Sequence, residues 1–140
     1  MHESHKVVSV DGANYRIARM TPLVGGYIWQ RLLSALYKAQ DGRKAEDEQA
    51  PPLDAPKPST EERMRGMCGV TFMFLSFEDF QFVQKHCMQM IEREEPAPAG
   101  YLRVQLDDGR WAVPEIAANP LLVTKLMVEA LVFSLHPFLA

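Results

Sequence analysis

One stretch constrains this chain more than any other: Ser76 to Arg93, SFEDFQFVQKHCMQMIER. It opens with a capping signal. Ser76 can accept a hydrogen bond from the first-turn amides, and Asp79 can reach back to the cap. Glu78 and Asp79 also put negative charge at the positive end of a helix dipole. Phe77, Phe80, Val83, Cys87, Met90 and Ile91 then recur at helical spacing and define one apolar stripe. The spacing predicts a helix whose stop signal is Glu94-Glu95-Pro96. The rest of the chain has to cover that stripe.

At 140 residues the chain has the length of one domain with a real core. Its formal charge is −3. No basic cluster marks a binder of nucleic acid or of a membrane surface, and none is expected. Cys68 and Cys87 form no CxxC pair, and no secretory signal precedes them, so reduced thiols are expected. The apolar run Leu121 to Ala140 is interrupted by Lys125 and Glu129, which argues against a spanning helix. The expectation is a soluble, cytoplasmic protein with no membrane partner.

Residues 7–20 read as a β-hairpin. Val8 and Val10 alternate with polar residues, Asp11-Gly12 supplies the turn, and Tyr15 and Ile17 continue the alternation. Asn14 can lengthen the loop, which leaves the register open. Thr21-Pro22 opens a helix with the apolar stripe Ile28, Trp29, Leu32, Leu33 and Leu36. Gly25-Gly26 indicates either a close contact or an imperfect helix start. Ala39 to Thr60, rich in proline and charge, has nothing to bury and reads as a flexible insert in a single domain spanning 1–140. Ser59, Thr60 and Glu61-Glu62 start a further helix whose length Gly66 and Gly69 limit. Val70 to Leu75 fits a buried strand or a helical turn, with helix favoured. Tyr101 to Pro114 reads as a second hairpin turning at Asp108-Gly109. Asn119-Pro120 starts a last helix that runs to about Leu135. The sum is an α+β, mainly helical fold: an N-terminal hairpin, three to four helices, and a second short hairpin before the C-terminal helix.

Candidate chemistry is sparse. His86 and Cys87 are adjacent, and neighbours on a helix point about 100° apart, so they form no dyad. Cys87 falls on the core stripe, where a thiol acts as a small hydrophobe. His2 and His5 make an HxxH without further ligands, short of the three or four a zinc site requires. No phosphate-cradling glycine motif is present. The reading is therefore a non-enzyme with no catalytic residue, no cofactor and no metal.

Two features suggest protein binding instead. The last helix is apolar nearly all round, leaving a narrow polar strip through Lys125, Glu129 and His136. It is either central to the core or half core and half interface. Phe82 lies with His86, Gln89 and Arg93 opposite the main stripe, either exposed or covered by Val70–Leu75. The candidate interaction residues are Phe82, Met127, Leu131, Leu135 and Phe138. Eight methionines add adaptable side chains, most of them expected as core filler.

The element order carries a resemblance. NYRIARMTP leads into GGYIWQRLL; FMFLSFEDFQFVQKHCMQMI follows, then DDGRWAVPEIAANPLLV and LMVEALVFSLHPFL. This resembles the tail assembly chaperones of long-tailed bacteriophages, including prophage copies, over most of the chain outside Ala39–Thr60. The resemblance implies a small non-enzymatic protein in the bacterial host cytoplasm, absent from the finished virion. It implies binding to the tape measure protein, recruitment of tail tube subunits, and a homo-oligomer. Many members also have a longer frameshifted form whose extension recruits the tube protein; these 140 residues show no such extension. The competing expectation is a small bacterial regulatory or adaptor module that binds a different partner.

Overall fold

The computed structural model describes the backbone of residues 4–43 and 59–139, and the side chains of these except 39–43, 60 and 136–139. Two strands, β1 (His5–Val10) and β2 (Ala13–Ala18), come first. Three helices follow: α1 (Pro22–Arg43), α2 (Thr60–Phe72) and α3 (Phe77–Gln89). Then come β3 (Ile91–Glu95), β4 (Gly100–Arg103), the single turn α4 (Pro114–Ala117), and α5 (Pro120–Leu139). The four strands form one antiparallel sheet in the order β1-β2-β3-β4. The fold is α+β and mainly helical, with two hairpins. Most of the insert expected at 39–60 lies outside the described residues, although α1 continues through Arg43.

Local chemistry explains the starts and turns. Asp11 (φ 50°) and Gly12 (φ 84°) are both left-handed. That is the twist a two-residue hairpin loop requires. Val10 pairs with Ala13, and Asn14 sits in the ladder opposite Ser9 rather than lengthening the loop. The Ser59 hydroxyl accepts from the Glu62 amide at 3.1 Å while the Ser59 amide donates to the Glu62 carboxylate at 3.3 Å, a reciprocal cap on α2. Ser76 accepts from the Asp79 amide at 3.1 Å on α3, and Asn119 from the Leu122 amide at 3.2 Å on α5. Gly66 and Gly69 do not shorten α2, which runs through both to Phe72. Val70–Phe72 complete that helix and Met73–Leu75 turn away from it. A Cβ on Gly25 would meet Met20 at an ordinary 3.9 Å and one on Gly26 would meet nothing, so the glycine pair marks an imperfect helix start.

Two boundaries differ from the sequence reading. The helix after Ser76 stops at Gln89, and Ile91–Arg93 belong to a strand. The Ala18 amide donates to the Met90 carbonyl at 2.9 Å, and Ile91 then pairs with Ile17. Sheet pairing with the distant hairpin outweighs the local helical period. The second hairpin is likewise built from other strands: β4 pairs with β3, not with the segment around Trp111. The Asp108–Gly109 turn exists, but it closes only an isolated Gln105–Trp111 bridge.

The core gathers around α5, which touches every other helix and the first two strands. Leu126, Met127, Ala130, Leu131, Val132 and Leu135 are all buried. On the sheet, Tyr15, Ile17 and Ile91 face the same core. From α3, Val83, Cys87 and Met88 enter it, while Phe77 stays 75% exposed and does not belong to the stripe. Of the α5 polar strip, Glu129 and Lys125 are engaged, and the side chain of His136 lies outside the described residues. Glu129 takes a two-pronged contact from Arg65 of α2, at 3.0 and 3.1 Å, and Lys125 reaches Asp11 at 2.9 Å. Among the described residues no helix is long and apolar enough to cross a membrane.

Leu131→Ala should lower the free energy of unfolding by about 2–5 kcal/mol through the cavity it leaves. Leu121→Ala, 65% exposed on the same helix, should change it by about 0.5 kcal/mol or less. Urea titrations of the two variants make the comparison, and equal losses would contradict the placement of α5.

Candidate protein-interaction surfaces

The interaction residues expected from the sequence separate in space. Met127, Leu131 and Leu135 are 0%, 0% and 1% exposed, inside the core, and offer nothing to a partner in this conformation. The reason is that this stretch of α5 is packed against the other helices and the first hairpin, so these apolar residues are consumed internally. The side chain of Phe138 lies outside the described residues. Phe82 alone reaches a surface, and its cover is not Val70–Leu75 but α1.

α1 and α3 run antiparallel, as two contacts show. The Tyr27 and Phe82 rings meet edge to face at 4.9 Å, and Arg31 lies 3.7 Å from Asp79. Arg31 also donates to the Tyr27 hydroxyl at 2.9 Å, which holds that ring in place. Between the helices lies an open groove of about 330 Å³ lined by Leu23, Val24, Tyr27, Phe82 and His86. The His86 ring rests 4.3 Å from that of Phe82. Leu23, on the rim, is 84% exposed.

A second apolar surface lies at the α2–α3 turn. Met73 is 79% and Phe77 75% exposed, with Phe74 beside them. Leu75 packs inward against the core, and Phe72 meets Phe80 edge to face at 6.1 Å. The turn thus has an apolar inner side that is satisfied and an apolar outer side that is not. The sequence did carry a signal for this tip. Met73 and Phe74 fall between a helix end and a serine cap, where a turn cannot bury every side chain of a continuous apolar run. Leu23 and Tyr27 carried a weaker one, being four apart yet off the Ile28–Leu32 stripe.

A smaller cavity of about 180 Å³ involves Lys6, Arg19, Glu61, Val132 and Phe133. Its charges are engaged: Lys6 lies 3.7 Å from Glu61, and Arg19 stacks over Phe133 at 4.1 Å while donating to its carbonyl at 2.7 Å.

Neither thiol is disposed as a nucleophile. Burial pushes Cys68 up to about 12, and it raises Cys87 well above the usual thiol range, with Cys68 adding to the effect. His86, facing the groove, does not meet Cys87, which faces the core. His5 bonds Ser4 at 3.0 Å, and His2 lies outside the described residues. Among the described residues no three His, Cys, Asp or Glu groups converge on a possible metal site. Comparison of the chain with protein-family models, with curated proteins and with solved structures finds no match.

Both cysteines should resist alkylation in the native protein at neutral pH and react once urea unfolds it, as mass spectrometry would record. Fast labelling of Cys87 without unfolding would contradict its burial. His86 supplies a pH test. Its pKa is lowered from 6.5, first by burial and then by Lys85. The unfolded chain therefore takes up the proton more readily. Stability should fall as pH drops through 6.5 and level off below the folded value. His86→Gln should remove part of that acid limb, read as a smaller shift in urea midpoint between neutral and acidic pH. An unchanged limb would refute the assignment.

Proposed function

We propose that this chain is a non-enzymatic tail assembly chaperone of a long-tailed phage or prophage, working in the cytoplasm of the bacterial host. It holds the tape measure protein and helps bring tail tube subunits to it. The observation that carries the reading is the exposed α2–α3 tip on a fold whose core is already filled. Met73 and Phe77 remain in water although the chain has buried Leu126, Met127, Ala130, Leu131, Val132 and Leu135 of α5. Large apolar side chains clustered at one exposed turn favour contact with another polypeptide. A flexible methionine beside phenylalanines suits a client whose apolar face varies along its length.

The order of elements supports the same reading. A hairpin leads into a helix with the GGYIWQRLL sequence, and the FMFLSFEDF tip precedes a capped helix. A client made largely of amphipathic helix would lay its apolar stripe on the tip, as helices do in apolar grooves. Shallow contacts of this kind hold without a catalytic centre.

Co-expression tests it. With the tape measure protein of the same phage or prophage, the chain should raise the soluble fraction of that protein and co-purify with it. Phe77→Ser, at an exposed position, should leave the circular dichroism unchanged and weaken capture about tenfold, the effect of losing one buried aromatic contact. Absence of co-purification would overturn the reading. Capture of an unrelated folded protein in its place would favour an adaptor.

A further inference from the structure

The two edges of the sheet end differently. At one edge β4 is four residues long, and its Arg103 holds Asp107 at 2.8 Å. At the other, β1 is a regular strand of six residues, paired with β2 alone in an unbroken register. Its bonding alternates. The Arg19 amide donates to the Ser4 carbonyl at 3.3 Å, and on the far side of β2 the Ala18 amide donates to the Met90 carbonyl at 2.9 Å. In an antiparallel ladder that phase turns the amides and carbonyls of Lys6, Val8 and Val10 toward β2. Those of His5, Val7 and Ser9 point outward, and among the described residues no backbone group bonds them.

An edge of this kind is a template for another chain, and proteins commonly guard it with a lysine, a proline or a bulge. Here the side chains that could guard it are turned away. Lys6 lies 3.7 Å from Glu61 of α2. Arg16, opposite Val7 in the ladder, reaches across the sheet instead, to Glu92 at 2.9 Å and over the Tyr101 ring at 4.5 Å. Val7 is left 55% exposed. On the other face Val8 and Val10 are only half-buried against the core, and α5 packs on this strand. A strand laid beside β1 would meet apolar neighbours on both faces, and β1 offers it no free lysine or carboxylate.

We propose that the open edge of β1 is a docking site for an extended, uncharged segment of another polypeptide, rich in valine, isoleucine and threonine, which adds to the sheet as a further strand. His5, Val7 and Ser9 exchange main-chain hydrogen bonds with this guest. One of its side chains covers Val7 on the outer face, and those of the opposite face extend the row of Val8 and Val10. In strand addition the main-chain bonds supply affinity and the alternate side chains supply selectivity. The site lies apart from the α2–α3 tip and takes a strand where the tip takes a helix. It does not depend on the tape measure reading.

The test uses the full chain and an end-blocked peptide of about eight residues, alternating valine and threonine. Backbone amide exchange is followed by NMR. In the free chain the amides of His5, Val7 and Ser9 should exchange fast, and those of Lys6 and Val8 slowly. With the peptide at about ten times its dissociation constant, the first three should slow about tenfold. The same peptide N-methylated at every amide should not bind. Val7→Lys, at an exposed position, should weaken binding about two- to fivefold with circular dichroism unchanged. Val7→Pro removes only an outward amide, so Val8 should stay protected while the peptide no longer slows His5 and Ser9. If His5, Val7 and Ser9 were already slow in the free chain, the chain itself or a second copy would cover the edge, and the proposal would fall. No binding of the unmethylated peptide would overturn it too, as would equal binding of the methylated one, or binding that leaves those three amides fast.

Discussion

The structure depends on finding cover for α5. A helix apolar on nearly every side cannot rest against one layer, because any face left in water would forfeit the free energy of its burial. The solution is to surround it. α2, α3 and α4 pack against it, the inner face of the first hairpin closes another side, and α1 contributes its flank. The two charges that interrupt the helix are then placed to serve as clasps. Glu129 receives Arg65, and Lys125 receives the turn aspartate Asp11. The Lys125–Asp11 pair is exposed and contributes at most about 1 kcal/mol, whereas the Arg65–Glu129 fork is half-buried. Their larger effect is to fix how α5 rotates within its cover.

Much of this was legible in the residues. The Asp11-Gly12 hairpin, the three serine- or asparagine-capped helix starts and the apolar last helix all follow from short-range chemistry. So does the α+β class. What was not legible is where short-range chemistry loses to long-range pairing. Met90 and Ile91 continue the helical period of α3 without interruption, yet β2 captures the backbone there through the Ala18–Met90 bond. The partner of β4 was hidden for the same reason. Asp108-Gly109 is a strong local turn signal, whereas the loop that joins β3 to β4 spans Pro96–Ala99 and reads only as a break.

The candidate surfaces show the same division. Counting apolar residues pointed to α5, because it holds most of them, but a helix so greasy is the one a single chain is most compelled to hide. Met127, Leu131 and Leu135 are core for that reason. Exposed apolar area appears instead where geometry prevents burial: at Met73 and Phe77 on a tight corner between two helices, and at Leu23 on the first turn of α1. Phe82 is partly buried against the core and meets the Tyr27 ring of α1 edge to face. Interaction surface in this chain follows the limits of packing rather than the density of hydrophobes.

The helices α1, α2 and α3 are all inserted between β2 and β3, neighbours in one sheet. Arg16 and Glu92, bonded across that seam, stand 76 positions apart in sequence. Closing so long a loop costs entropy that no local contact repays. Tyr15 and Ile17 of the first hairpin are buried only with Ile91 and the α5 side chains in place. The inner face of the first hairpin is therefore completed only by residues far along the chain, β3 beside it and α5 over it.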